Sequence, residues 1–394
     1  MHDYDYLILG GGMAGLSAAT AIRQQTREAS VAILSGEDLA PYARPMLTKL
    51  PMAHYVPENT LLRPAAWYEE QRIRLYLNCR VDRLDAGEKT VETTRGCFRY
   101  RKCIYALGAY NFIPPFPGRE LPGVHSLRTA ADVDVLRRSS MGAQNAAIIG
   151  GGVIGLEAAY LLAEEGMQVT VIETAPYLMP RLLDPESSKE LEHRITDFRV
   201  ITGARVERIL GQDRVSTVAV AGCAPVAADM VIISCGIRAN TAIAQQAGAV
   251  VDRAVVVDEM MRTTLPDVYA CGDCAQYNGV NSGLWDQAYV QGTAAGINAA
   301  GGHCIYRGSD MALVLNCPEF SLYSTGDLGK IPGKNYEQTT QTLQNQHAFL
   351  INPRPAETVE RSFFADGRRV GTFLLGNLEL MQERVKEILG EKNE

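Results

Sequence analysis

The chain has 394 residues, 46% of them hydrophobic, which is enough apolar material for two or three domains with separate cores. Its 38 Lys and Arg against 45 Asp and Glu give a formal net charge of -7. That balance excludes the broad positive field a nucleic-acid backbone requires, so nucleic acid is not an expected partner.

Strand-like residues begin at Tyr4 and leave no room for a charged leader and an apolar signal core, so a cytoplasmic location is expected. Residues 4–9 predict a buried strand, Gly10-Gly11-Gly12-Met13-Ala14-Gly15 a tight turn, Leu16 to Gln25 a helix, and Val31 to Leu34 a second strand. The same order recurs at Ala146 to Ile149, Gly150-Gly151-Gly152-Val153-Ile154-Gly155, Leu156 to Glu164, and Val169 to Ile172, ending on Glu173. The second copy includes the most apolar run of the chain. Its glycines and Glu157 break that run, so no membrane span is expected.

In each copy the glycines let the backbone turn sharply and approach a pyrophosphate, whose charge meets the free amides and positive end of the following helix. A glycine-rich strand end also occurs as plain structure, but each turn here lies between a strand pattern and a helix pattern. Two such turns call for two dinucleotides, read as a tightly held FAD and an exchangeable NADH. Glu173 stands about twenty residues beyond Gly150, where a carboxylate accepts hydrogen bonds from the adenosine ribose and disfavours NADPH. In the first copy the strand ends on Ser35, with the carboxylate displaced to Glu37.

Between the copies, Ile113-Pro114-Pro115-Phe116-Pro117-Gly118 marks a boundary. Residues 1–112 and 239–302 are expected to form an FAD domain, with an NAD domain of 113–238 inserted. The remaining residues, 303–394, contain Val359 to Ala365 and Arg369 to Leu375 flanking the hairpin signal Asp366-Gly367. Leu378, Met381, Val385 and Ile388 then recur at helical spacing. The fold class is thus α/β, two Rossmann-like dinucleotide-binding domains plus a small α+β C-terminal domain.

Nine cysteines, an odd number scattered through a long chain, predict reduced thiols rather than a disulfide framework. The one CxxC, Cys271-Gly-Asp-Cys274, has no second pair at zinc spacing, so no metal is expected. A redox disulfide there is the alternative to a structural turn.

Together these motifs resemble the two-dinucleotide flavoprotein reductases, a family that includes rubredoxin reductases, ferredoxin reductases of oxygenase systems, NADH oxidases and disulfide reductases. Tyr105-Ala106-Leu107-Gly108-Ala109 is similar to the family's strand-and-turn out of the FAD domain. Thr263 to Asp273 resembles the late FAD motif, with a strand before and a helix after Gly272-Asp273, and implies that Asp273 binds the ribitol. Ser126-Leu127-Arg128-Thr129 implies a cation, Arg128, for the pyrophosphate, the alternative being an exposed arginine that starts a helix. Trp285 to Gly292 resembles the helix that meets the flavin ring and implies Trp285 and Ala288 as neighbours, or as plain core. Val81, Ala106, Gly108 and Gly236 complete the implied cofactor-binding set.

Disulfide reductases carry a redox cysteine between residues 40 and 50. This chain reads Pro41-Tyr42-Ala43-Arg44-Pro45-Met46-Leu47-Thr48-Lys49, without one. The segment is similar to rubredoxin and ferredoxin reductases, which implies that Arg44 and Pro45 touch FAD and that Lys49 approaches the flavin. Glu157, at the start of the second turn's helix, would be favoured there by the macrodipole alone. The resemblance implies instead that it pairs with Lys49 and that both are catalytic. The implied activity is NADH oxidation through FAD toward a small electron-acceptor protein such as rubredoxin. The alternatives are an NADH oxidase using oxygen directly and an NADH-sensing flavoprotein.

Overall fold

A computed structural model describes residues 1–49, 52–308, 312–318, 320–344 and 357–389. They fall into two units. One is Met1–Leu47 with Tyr55–Asn111 and Ile237–Ser309; the other is Thr48–His54 with Phe112–Gly236 and Asp310–Glu394.

In the first unit the strand His2–Leu9 lies between Val31–Leu34 and Gly96–Tyr105, parallel to both, and Ile73–Tyr76 extends the sheet beyond Val31–Leu34. Val31 to Leu34 is buried at every position, as an apolar run in a sheet covered on both faces must be. The short strand Val268–Ala270 adds parallel to the end of Gly96–Tyr105, which brings the following turn to the same sheet edge as the glycine loop. The helices Met13–Gln25 and Trp285–Ala299 then pack backbone to backbone. A Cβ on Gly292 would collide with the Ala14 carbonyl, and one on Gly296 with that of Ala18.

The second unit repeats the plan with the parallel order Arg199–Ile201, Gln168–Ile172, Asn145–Ile149, Met230–Ile233, Val124–His125. It also holds a five-stranded antiparallel sheet, in the order Leu313–Asn316, Ser321–Gly326, Arg368–Gly376, Glu357–Ala365, Glu337–Gln344, and the helix Met381–Leu389. The buried Arg361 of this sheet donates to Asp184, at 3.0 Å, and to Ser187, at 3.1 Å, both at the start of the helix Pro185–Arg194.

Two details differ from the sequence expectation. The helices begin at Met13 and Val153 instead of Leu16 and Leu156, because Gly12 and Gly152 take the N-cap positions in extended backbone. Residues read as turn are therefore the first helical turn. After Gly272–Cys274, a single 3-10 turn, the chain makes a short strand, Ala275–Tyr277, that the sequence did not signal, and the expected helix begins at Trp285.

Candidate functional site

Each unit presents the same cradle. Gly10 has φ +119° and Gly150 φ +114°, values a side chain rarely adopts. A Cβ on either would strike the carbonyl of Ala106 or Ser234 on the neighbouring segment. Gly15 and Gly155 pass so close to the carbonyls of Gly10 and Gly150 that a Cβ would fill the turn. Gly12 and Gly152 are different. A Cβ there meets none of the described atoms within 4 Å, and a glycine N-cap offers neither helix a capping side chain. The first-turn amides of Met13, Ala14 and Gly15, and of Val153, Ile154 and Gly155, sit at the positive helix ends. A pyrophosphate fits both places, so the residues present suit one dinucleotide in each unit.

Around the first cradle, Ser35 is buried against Gly11, and its hydroxyl accepts from the Glu37 amide at 3.3 Å. Glu37 accepts from the Tyr42 hydroxyl at 2.8 Å and from Arg44. Burial works against the charge of Arg44, but Tyr42, Glu37 and Asp273 outweigh it and hold its pKa above the ordinary value. Pro45, the next residue, is exposed. Gly272, at φ +77°, lies against Ala14 and donates to Gln291 at 2.9 Å, which places Asp273 beside the cradle. Trp285 is half-buried and Ala288 buried on the helix that touches Ala14. Val81 is buried at the start of Val81–Asp85, Ala106 is buried with its carbonyl against Gly10, and Gly108 takes φ +65°.

Cys271 and Cys274 are fully buried free thiols. Burial pushes Cys271 well above its ordinary pKa and Cys274 up to about 12, so neither readily forms the thiolate that exchange chemistry needs. Among the described residues no group of three or more His, Cys, Asp or Glu could hold a metal ion, and no helix is long and apolar enough to cross a membrane.

In the second unit, Glu173 accepts from the Gly151 amide and the Ala175 amide, each at 2.7 Å, which ties the end of the second strand to the glycine loop. The half-buried Cys235 thiol is pushed up to about 11 by burial and by Glu173. Gly236, φ +90°, is exposed with open space at its Cβ position.

Glu157 is buried one turn into the helix, with one carboxylate oxygen on the Lys49 ammonium and the other on the Thr48 hydroxyl. The 48–54 segment is stapled further by Met52, whose amide donates to Glu165 at 3.0 Å and whose carbonyl accepts from Arg137 at 2.7 Å. Arg128 is half-buried, its amide on Asp132 at 2.8 Å, just before the capping box that Thr129 makes with Asp132. The sequence reading gave no role to Thr48, Tyr42 or Gln291. A hydroxyl next to the lysine was a usable signal for Thr48, but nothing local marks Tyr42 or Gln291.

A family model described as "Pyridine nucleotide-disulphide oxidoreductase" matches residues 4–292. A 5,5'-dehydrodivanillate O-demethylase ferredoxin reductase subunit of Sphingobium sp. is 40% identical over 283 residues, 70% of this chain and 69% of the relative. A nitrite reductase [NAD(P)H] of Bacillus subtilis is 33% identical over 329 residues. That match covers 82% of this chain, which spans only 41% of the relative's length. Among solved structures, an NAD-dependent persulfide reductase from A. fulgidus superposes with a TM-score of 0.90 at 27% identity, over 98% of this chain and 76% of the other.

Proposed function

The chain belongs to the pyridine nucleotide-disulphide oxidoreductase family, FAD- and NAD(H)-using oxidoreductases, and from that premise we propose that it oxidises NADH and passes the electrons to a small iron protein of the rubredoxin or ferredoxin kind. FAD, when bound, supplies the ring that takes up a hydride and gives up electrons singly.

The observation that carries the reading is the Lys49–Glu157 pair, which occupies the stretch of chain where a thiol-based relative carries its redox cysteine. No thiol stands between residues 40 and 50, and the one CxxC is buried and strongly disfavours ionisation. An acceptor that needs thiol exchange is thereby disfavoured, and a one-electron acceptor on another chain is favoured.

The residues divide the work. The first cradle, with Arg44 and Asp273, holds FAD. The second holds NADH, and Glu173 favours the unphosphorylated ribose. Glu157 fixes Lys49, whose ammonium balances the negative charge gained on reduction. The work is placed in the cytoplasm, where NADH is at hand and thiols stay reduced. Reduction of rubredoxin, ferredoxin, oxygen and a disulfide, compared at equal NADH, tests the reading. An iron protein as the fastest acceptor supports it, and a faster disulfide overturns it.

A further inference from the structure

Glu37 stands near the end of the second strand of the first unit, where a carboxylate in this position is expected to meet the adenosine ribose. The structure gives it other work. Both of its oxygens are engaged by side chains, one by the Tyr42 hydroxyl at 2.8 Å and the other by Arg44. Arg44 also donates to the Tyr42 hydroxyl at 2.9 Å, and its guanidinium carbon lies 5.0 Å from the Tyr42 ring centroid. Tyr42 is only 3% exposed.

The backbone beneath this triad is fixed as well. Tyr42 bridges to Leu61, the Ala43 amide donates to Thr60 at 2.8 Å, and the Leu62 amide donates to Pro41 at 2.9 Å. A guanidinium carries five donors in one rigid plane, so bonds to Glu37 and to the Tyr42 hydroxyl, with the Tyr42 ring nearby, restrict how that plane can turn. A free arginine would lose rotamer entropy on meeting an anion, and one held beforehand does not. The Glu37 amide donates at 3.3 Å to the hydroxyl of Ser35, whose side chain lies against Gly11 of the cradle, so the triad stands beside the glycine turn.

We infer that Glu37 and Tyr42 are positioning residues that hold Arg44 in place for the anionic part of FAD, and that Glu37 serves as the counter-ion of Arg44 and not as the ribose ligand. The inference rests on the reading of the first cradle as the FAD site. It assigns Tyr42 a role in cofactor affinity that acts entirely through its neighbour.

The test is equilibrium titration of FAD into apoprotein, followed by quenching of flavin fluorescence. Arg44→Met is expected to weaken FAD about 100-fold, and Tyr42→Phe and Glu37→Gln each about tenfold, the scale of a hydrogen bond to a charged group. In the Arg44→Met background, Tyr42→Phe and Glu37→Gln are expected to change affinity less than about twofold, because the residue through which they act is gone. The unfolding midpoint of each apoprotein confirms that it is folded, and Glu37→Gln carries the test if Tyr42→Phe is not. Equal losses in the two backgrounds, or no loss from either variant in the unmodified chain, would overturn the inference while leaving the cradle reading intact. Unchanged FAD affinity in Arg44→Met would overturn both.

Discussion

Replacing Lys49 with methionine keeps most of the aliphatic stem and removes the ammonium on which Glu157 rests. The glutamate side chain is 8% exposed and that of the lysine 26%, so the change leaves a buried carboxylate with the Thr48 hydroxyl as its remaining side-chain donor in the pair. Breaking a fully buried pair from one side costs about 3–5 kcal/mol. Water reaches a quarter of Lys49, which brings the expected cost down to about 2 kcal/mol. Lys49→Met should therefore lower the unfolding midpoint of the apoprotein. Adding Glu157→Gln should restore most of the loss, because a glutamine there still accepts from Thr48 and carries no charge. The effect on turnover is separate. Removing one preorganised electrostatic group costs about 10² in rate, or about 2.7 kcal/mol. NADH-dependent flavin reduction in Lys49→Met should slow by roughly that factor with FAD still bound, and Glu157→Gln should slow it less. Anaerobic stopped-flow mixing at saturating NADH isolates this step from the acceptor. Wild-type reduction rates in both variants would make the pair purely structural and refute the catalytic assignment.

With NADH in the second cradle as proposed, Glu173 would face a 2′-phosphate, so discrimination against NADPH should reach tenfold or more in kcat/KM. Like charges about 4 Å apart cost roughly 1 kcal/mol in water and about 4 near a protein surface. Equal values for the two nucleotides would show that Glu173 serves only to pin Gly151 and Ala175. Replacing Cys271 and Cys274 with alanine should leave flavin reduction by NADH within a fewfold of wild type. A loss beyond tenfold with FAD bound would restore the redox-disulfide alternative. Acid should loosen the C-terminal sheet through Glu360, a fully buried carboxylate. Burial pushes its pKa up, but Arg384 at 2.6 Å, Gln341 at 2.7 Å and Arg369 at 3.0 Å outweigh that and lower it. Its stabilisation is therefore present above the unfolded carboxyl value of about 4.3 and is lost as pH falls through the lower folded value. Unfolding midpoints measured across that window should fall for the wild type more steeply than for Glu360→Gln, and parallel curves would contradict this assignment.

The two strand–loop–helix units were legible because their signals are local: four-residue apolar runs, glycines at fixed spacing, and a carboxylate about twenty residues on. The hairpin around Asp366-Gly367 was legible for the same reason, and it joins Glu357–Ala365 to Arg368–Gly376. The start of each helix was misread because glycine signals a turn in sequence, whereas Gly12 and Gly152 are N-caps whose next residues are already helical. The helix at Trp285 was legible, but the strand Ala275–Tyr277 before it is too short to announce itself. Glu37 was read from its place after the strand, and nothing in the local pattern signals that the Tyr42 hydroxyl and Arg44 converge on its carboxylate. Arg361 on Asp184, and Gln291 on Gly272, join residues far apart in the chain that no periodicity connects.

The most direct test of the account follows electrons beyond the flavin. With NADH held saturating and FAD fully loaded, initial rates are compared for a rubredoxin, a [2Fe–2S] ferredoxin, molecular oxygen and a low-molecular-weight disulfide, each at equal concentration. One of the two iron proteins should be reduced at least tenfold faster than oxygen, and the disulfide should not exceed background. Oxygen consumption as the fastest process, or disulfide reduction that vanishes on Cys271→Ala, would contradict it.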